Sequence, residues 1–369
     1  MRVLGVIPND PLDDYERGGI GSWLPGYYNP QGFFERVYCL SPLERRREKR
    51  YGMTVVPTRA GRLTARVRQL GLDVLRAYGG SWPADFLAEA RETGIPLVVS
   101  VHNSDPAALS DSVRAADLVF CTSRAVAEVV RIRGVPESAI RILPNRVDRT
   151  RFSPDPTDPG TAALRARFPW RHGILHVGRR SRQKNLEVVI AALARLGSDF
   201  GLLAVGPGGV GPYHAQAERL GVAERCRFLG PVPNAQLPSY YRWCACMCVP
   251  SLWEGFGIVF IEAMACGATV VTSAIAPMTE YIQHGVNGIL VEAFEDPGAI
   301  AAAIARACED PELHTLDTAA RESTRPFAVE AVDALEVGFY REALALRPVV
   351  VRQPEAPPWW ARLWGALPW

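Results

Sequence analysis

Residues Ser251–Gly267 read SLWEGFGIVFIEAMACG. Glu254-Gly-Phe-Gly257 has the composition of a turn, and Ile258–Ala265 that of a buried helix starting just after it. A helix start presents free N–H groups and the positive end of a dipole, which suits a phosphate. Gly255 and Gly257 let the backbone come close to a ligand. Glu262 sits in an otherwise apolar helix, where a carboxylate must be paired or bound to something. The plainer alternative is a helix start with a partly exposed glutamate. Eight residues separate Glu254 from Glu262, about 12 Å along a helix. A retaining glycosidase pair needs only about 5–5.5 Å, so two different ligand groups, one per carboxylate, fit better.

Upstream, Val177–Asn185 reads VGRRSRQKN. It follows an apolar run, carries four basic side chains and opens a helix at Asn185 or Leu186. The chain has 41 basic residues, of which only Lys49 and Lys184 are lysines. A flexible ammonium is a compact charge suited to a phosphate, whereas arginine prefers fork-like contacts. Arg179 and Lys184 could hold a diphosphate between them; taken alone, the segment also reads as a solvated basic loop.

Outward from these stretches, short apolar runs alternate with amphipathic ones. Strands are expected at 3–7, 36–40, 54–57, 74–78, 97–102, 118–122 and 141–143, then at 173–177, 201–205, 227–229, 245–249, 269–272 and 288–291. A Pro- and Asp-rich linker, Asn145–Thr161, separates the two series. Strands alternating with helices imply parallel sheets covered on both faces. The fold class is therefore α/β, with two doubly wound Rossmann-like domains facing a central cleft, since ligands in such folds bind beyond the carboxyl ends of the strands.

Together these residues carry a resemblance. Ser251–Gly267 resembles the E-x7-E signature of the family-4 retaining glycosyltransferases, of GT-B fold, with Glu254 and Glu262 at its glutamate positions. Gly178-Arg179 with Lys184-Asn185 is similar to the family's G-R…K-G/N loop. AVGPGG (Ala204–Gly209), RFLGPVP (Arg227–Pro233), VPS (Val249–Ser251), HGVNGILVE (His284–Glu292) and LPNRVDRTRFSP (Leu143–Pro154) resemble further family elements in order and spacing. The match is nearly continuous from Leu143 to Glu292 and thin before it.

The resemblance implies transfer of a sugar from a nucleotide-diphosphate sugar to an acceptor hydroxyl with the anomeric configuration kept. Arg179 and Lys184 would neutralise the diphosphate, and Glu262 would bind the ribose hydroxyls. Glu254 and Gly255, with the N–H groups of Phe256, Gly257 and Ile258, would hold the donor sugar and phosphate; Pro231 and Val232 would lie beside the base. Preorganised donors stabilise the charge that the leaving diphosphate gains. No metal or other cofactor is expected, and the implied mechanism is a front-face substitution in which the leaving phosphate takes the acceptor proton. In the N-terminal half, Gly18 and Gly19 resemble the loop that approaches the donor phosphate, and His102 matches a histidine near the donor sugar. A simple turn and a structural histidine are their plainer alternatives. The remaining histidines carry no signal. The implied domains are 1–150 for the acceptor, 151–326 for the nucleotide sugar, and 327–369 as a C-terminal helix and tail packing back on the first.

Departures accompany the match. Pro25 and Pro30 interrupt the family's first long helix, so Trp23–Phe34 is a loop or broken helix whose aromatics serve the acceptor or the core. Arg146 stands for the usual glycine, and Ala276-Pro277 for a glycine pair near the sugar.

Composition limits the rest. With 369 residues about two domains are expected, and a net charge of +2 argues against a nucleic-acid partner. That total hides a segment, Arg36–Arg76, with eleven basic and three acidic residues. It offers a surface for an anionic or lipid-linked acceptor or for peripheral membrane contact, or is merely solvated. The tail Pro357–Trp369 is too short to span a bilayer; it packs on the protein or sits at a membrane interface. The N-terminus lacks a signal-peptide pattern, and the eight cysteines show no framework spacing, so a cytoplasmic location with reduced thiols is expected. Cys244, Cys246 and Cys248 read as core residues more readily than as a metal site. The rival readings are a GT-B sugar-nucleotide epimerase, a phosphorylase, and a non-catalytic GT-B subunit.

Overall fold

The computed structural model describes residues 2–18, 21, 24–310 and 316–346. The chain forms two compact units: one runs to Pro144 and resumes at Val332, and the other is Asn145–Ala331. These divisions lie a few residues from the expected 150 and 326.

The first unit is built on β1 (Val3–Ile7), β2 (Arg36–Ser41), β3 (Glu48–Arg50), β4 (Met53–Pro57), β5 (Val74–Tyr78), β6 (Leu97–Val101), β7 (Leu118–Cys121) and β8 (Ile140–Ile142). Among the described residues they form one sheet of order β3-β4-β2-β1-β5-β6-β7-β8. All pairings are parallel except β3–β4. Strands β1, β5 and β6 are buried at every residue, because helices cover both faces of a parallel sheet. Chain order reverses between β1 and β5, which marks the topological switch point.

Strand β3 carries no apolar residue, so the hydrophobic pattern gave no sign of it. It is held as a hairpin edge by Tyr51 and Gly52, both at positive φ (51° and 72°), the geometry of a two-residue turn. Charged residues on such an edge also discourage pairing with another chain. Lys49 lies on it, exposed.

Helix Val329–Ala345 buries Val332, Val337, Tyr340 and Ala343 against the face of the first sheet that carries Leu4, Val6 and Val98. Arg76, wholly buried, pairs with Glu336 of this helix and donates to Tyr340 Oη at 2.7 Å and Ser100 Oγ at 2.8 Å. Arg76 is thus no part of a basic surface. The break at Pro25 and Pro30 gives a short helix, Leu24–Tyr28, and a 3-10 turn, Pro30–Gly32. Tyr28, Phe33 and Phe34 pack into the same core, which settles these three as core residues. Trp23 and the Trp-rich tail lie outside the described residues.

The second unit contains β9 (His172–Val177), β10 (Phe200–Val205), β11 (Cys226–Leu229), β12 (Cys246–Val249), β13 (Val270–Ser273) and β14 (Ile289–Val291). They form a parallel sheet of order β11-β10-β9-β12-β13-β14. Here the switch point falls between β9 and β12. The loops that leave these two strands are Gly178–Asn185 and Pro250–Gly257, the segments singled out from sequence. Cys246 and Cys248 are buried in β12, and Cys244 ends the helix Leu237–Trp243 before it. All eight cysteines are free.

Candidate active site

Residue Gly178 leaves β9 at φ 157°, and a Cβ there would stand 3.2 Å from Lys184 Cγ. The Lys184 stem therefore lies across the glycine. Asn185, at φ 52°, turns the chain into helix Leu186–Leu193. Its Nδ2 donates to the carbonyls of Pro250 (3.1 Å) and Phe294 (3.2 Å). Leu252 N donates to Gln183 O at 2.8 Å, and Gln183 Nε2 donates to Trp253 O at 2.8 Å. The two switch-point loops are thus bonded to each other along their length.

After β12, Ser273 Oγ donates to Ser251 O at 2.7 Å, and Ser251 Oγ donates to Glu254 Oε1 at 2.8 Å. The same carboxylate oxygen pairs with Lys184 Nζ. Both side chains are largely buried, so the pair stands where water screens it little. Gly257, at φ 83°, starts helix Ile258–Ala265, and a Cβ there would meet Phe260 and Met278 at 2.5 and 2.7 Å. The glycine is required by both conformation and space. Tyr281 Oη donates to Phe256 O at 2.8 Å, and the two rings stack.

Glu262, buried on this helix, accepts from Tyr241 Oη at 2.8 Å and from Asn234 Nδ2 at 3.3 Å. Burial pushes its carboxyl up to about 7, a rise that these two bonds and Arg151 only partly oppose. Asn234 begins the turn after Pro231 and Val232, so the expected base loop meets the expected ribose carboxylate through this amide. Pro231 is exposed and Val232 half-buried.

Arg179 is exposed; its carbonyl accepts from Ser181 N at 2.9 Å, but its guanidinium bonds to no described residue and so is available to a ligand. Its neighbour Arg180 turns inward. It donates to Gly208 O at 3.1 Å and bonds the carbonyls of Gly206 and Leu229, capping the ends of β10 and β11.

Two residues that sequence reasoning passed over belong to this site. Tyr241 holds Glu262. His176 of β9, fully buried, lies with Nε2 2.9 Å from Lys184 O. Burial lowers its pKa to about 4, so the ring is neutral at physiological pH. Neither shows any spacing pattern that would have found it.

In the first unit, His102 is exposed immediately after β6. Gly18 does not sit in a loop after β1 as expected. It closes helix Leu12–Arg17, its N–H donating to Asp14 O at 2.9 Å. Gly19 lies outside the described residues.

Two family descriptions match the chain in series: "Glycosyltransferase Family 4" over residues 24–151 and "Glycosyl transferases group 1" over 171–323. D-inositol 3-phosphate glycosyltransferase 1 of Catenulispora acidiphila is 30% identical over 292 residues, 69% of this chain and 68% of its own length. The chain belongs to glycosyltransferase family 4.

The family's D-inositol 3-phosphate glycosyltransferase from Xylanimonas cellulosilytica is 32% identical over 248 residues, and the match spans 64% of this chain and 59% of that protein. Among solved structures, Anabaena HepE in complex with UDP superposes with a TM-score of 0.78 at 21% identity, over 93% of this chain and 100% of its own. Sucrose-phosphate synthase from Thermosynechococcus elongatus does so at 0.73 and 21%, over 94% and 100%. These likenesses establish the GT-B fold. No helix among the described residues is long and apolar enough to cross a membrane.

Proposed function

We propose that this family-4 protein transfers a sugar from a nucleotide-diphosphate sugar to an acceptor hydroxyl with retention of configuration. The observation that carries the reading is the Lys184–Glu254 pair, fixed where β9 and β12 diverge, at the head of the helix that carries Glu262. Arg179 and Lys184 neutralise the diphosphate, and Glu262 binds the ribose. Glu254 and Gly255, with the amides of Phe256, Gly257 and Ile258, hold the donor sugar and phosphate; Pro231 and Val232 border the base. Donor contacts by His102, Gly18 and Gly19 belong to this reading on the family resemblance alone. The cations concentrate charge where the leaving group develops it, so the reaction needs no metal. The bond from the anomeric carbon to the diphosphate oxygen breaks, a new bond to the acceptor oxygen forms on the same face, and the departing phosphate oxygen takes the proton of the attacking hydroxyl.

The complexes of Anabaena HepE with UDP and with UDP-glucose make UDP-glucose the first donor to test. The relatives' names make a phosphorylated cyclitol such as D-inositol 3-phosphate the first acceptor. An anionic acceptor also suits the basic Arg45–Arg47 segment, which is exposed. Peripheral membrane contact there is a separate expectation, read by vesicle co-sedimentation at low salt.

The test is thermal-shift screening against UDP, GDP, ADP and dTDP sugars, then transfer assays in EDTA with NMR of the product anomer. A product of retained configuration, formed in the chelator, is expected. An inverted product would overturn the reading, as would turnover of donor alone without acceptor, the behaviour of an epimerase. Absence of any nucleotide-dependent shift would favour a non-catalytic subunit.

A further inference from the structure

The ring of His176 stands in a strand buried at all six positions, on the same face as Ile174 and on the opposite face from Leu175. A polar ring there is costly unless hydrogen-bonded. Its bond runs to the carbonyl of Lys184, eight residues along the chain, and closes the loop that carries both Arg179 and Lys184. A carbonyl only accepts, so Nε2 carries the proton and the tautomer is fixed. The flanking residues are held as well: Gln183 through its carbonyl, which accepts from Leu252 N, and Asn185 through its side-chain Nδ2, which donates to the carbonyls of Pro250 and Phe294. Lys184 is therefore gripped through its own carbonyl while its stem crosses Gly178 and its ammonium meets Glu254.

We propose that His176 is a positioning residue for the diphosphate site. Its neutral imidazole pins the Lys184 carbonyl and so sets the point from which the ammonium reaches the ligand. The proposal rests on the reading of Lys184 as a diphosphate contact. A leucine of similar bulk cannot donate this bond. A glutamine can, because its Nε2 falls close to the position of the imidazole Nε2; an asparagine amide stops short.

Calorimetry with UDP and UMP (or the GDP/GMP or ADP/AMP pair, for whichever diphosphate binds best) is run on the parent, His176→Gln, His176→Leu and Lys184→Met. The quantity read is the ratio of diphosphate to monophosphate affinity, which a general loss of folding would not selectively move. A charge-assisted contact weakened by misplacement should lower that ratio about tenfold in His176→Leu and Lys184→Met, and His176→Gln should stay within about twofold of the parent. If His176→Leu does not fold, His176→Asn replaces it with the same expectation. A ratio unchanged in the Leu or Asn variant while Lys184→Met loses it overturns the role of His176 and leaves the diphosphate site standing. A ratio unchanged in Lys184→Met overturns both. Loss in His176→Gln equal to that in His176→Leu also overturns the proposal, since the donated bond would then not be the cause.

Discussion

Replacing Glu262 by glutamine should stabilise the protein at neutral to alkaline pH while impairing nucleotide binding. In the free protein the carboxyl is buried with two neutral hydrogen-bond donors, and its pKa stands at about 7 against 4.5 for an ordinary glutamate. A folded-state pKa raised above the unfolded value means that the folded chain holds the proton more tightly. Stability is then lost as pH rises from about 4.5 to about 7, and the loss persists above that. At 1.36 kcal/mol per pH unit, this interval corresponds to on the order of 3 kcal/mol. Glutamine keeps an oxygen for the Tyr241 hydroxyl, and rotation of the Asn234 amide satisfies the new NH2, so the charge is removed without orphaning a donor. Denaturant unfolding at pH 8 should show Glu262→Gln more stable by on the order of 3 kcal/mol, roughly 6–12 °C in Tm for a unit of this size. The advantage should shrink as pH falls toward 4.5. The same variant should bind nucleoside diphosphate at least about tenfold more weakly, because a charged acceptor for ribose hydroxyls is gone. Parallel pH–stability curves for parent and variant would refute the reasoning, since the buried carboxylate would then carry no uncompensated charge.

Further outcomes follow from other contacts. Glu336→Ala strands the Arg76 guanidinium in the first unit and should cost about 3–5 kcal/mol. Glu342→Ala, which removes the half-exposed partner of Arg141, should cost no more than about 1 kcal/mol; urea melts compare the two. Gly206→Ala would place a Cβ 1.9 Å from Gly178 O at φ 147°. It should destabilise by about 1–3 kcal/mol or more, and thermal-shift response to nucleotide should fall with it. Tyr241→Phe removes the hydroxyl that favours the Glu262 anion, so the midpoint of pH-dependent nucleotide binding should move to higher pH, read by calorimetry between pH 6 and 9.

The order of the strands along the chain was legible because a parallel sheet covered on both faces imposes runs of consecutive apolar residues, a pattern each segment carries within itself. The two switch-point loops were legible for a similar reason: glycines, clustered basic residues and paired glutamates are local chemistry at fixed spacing. The helix Ile258–Ala265 begins and ends where its sequence indicates. Charge counting misled at Arg76, which contributes to the basic run Arg36–Arg76 yet is buried against a carboxylate 260 residues away.

By itself, then, the sequence determined the two α/β units, the switch-point loops and the identity of the residues at the head of helix Ile258–Ala265. Tertiary structure alone decided that Lys184 pairs with Glu254, that Tyr241 and Asn234 hold Glu262, that His176 grips the Lys184 carbonyl, and that Glu48–Arg50 forms an edge strand. Periodicity and turn chemistry act over a few residues and leave their mark in the chain. The partner of a buried polar group is set by which strands and helices meet in space, and nothing in the spacing of the chain records that meeting.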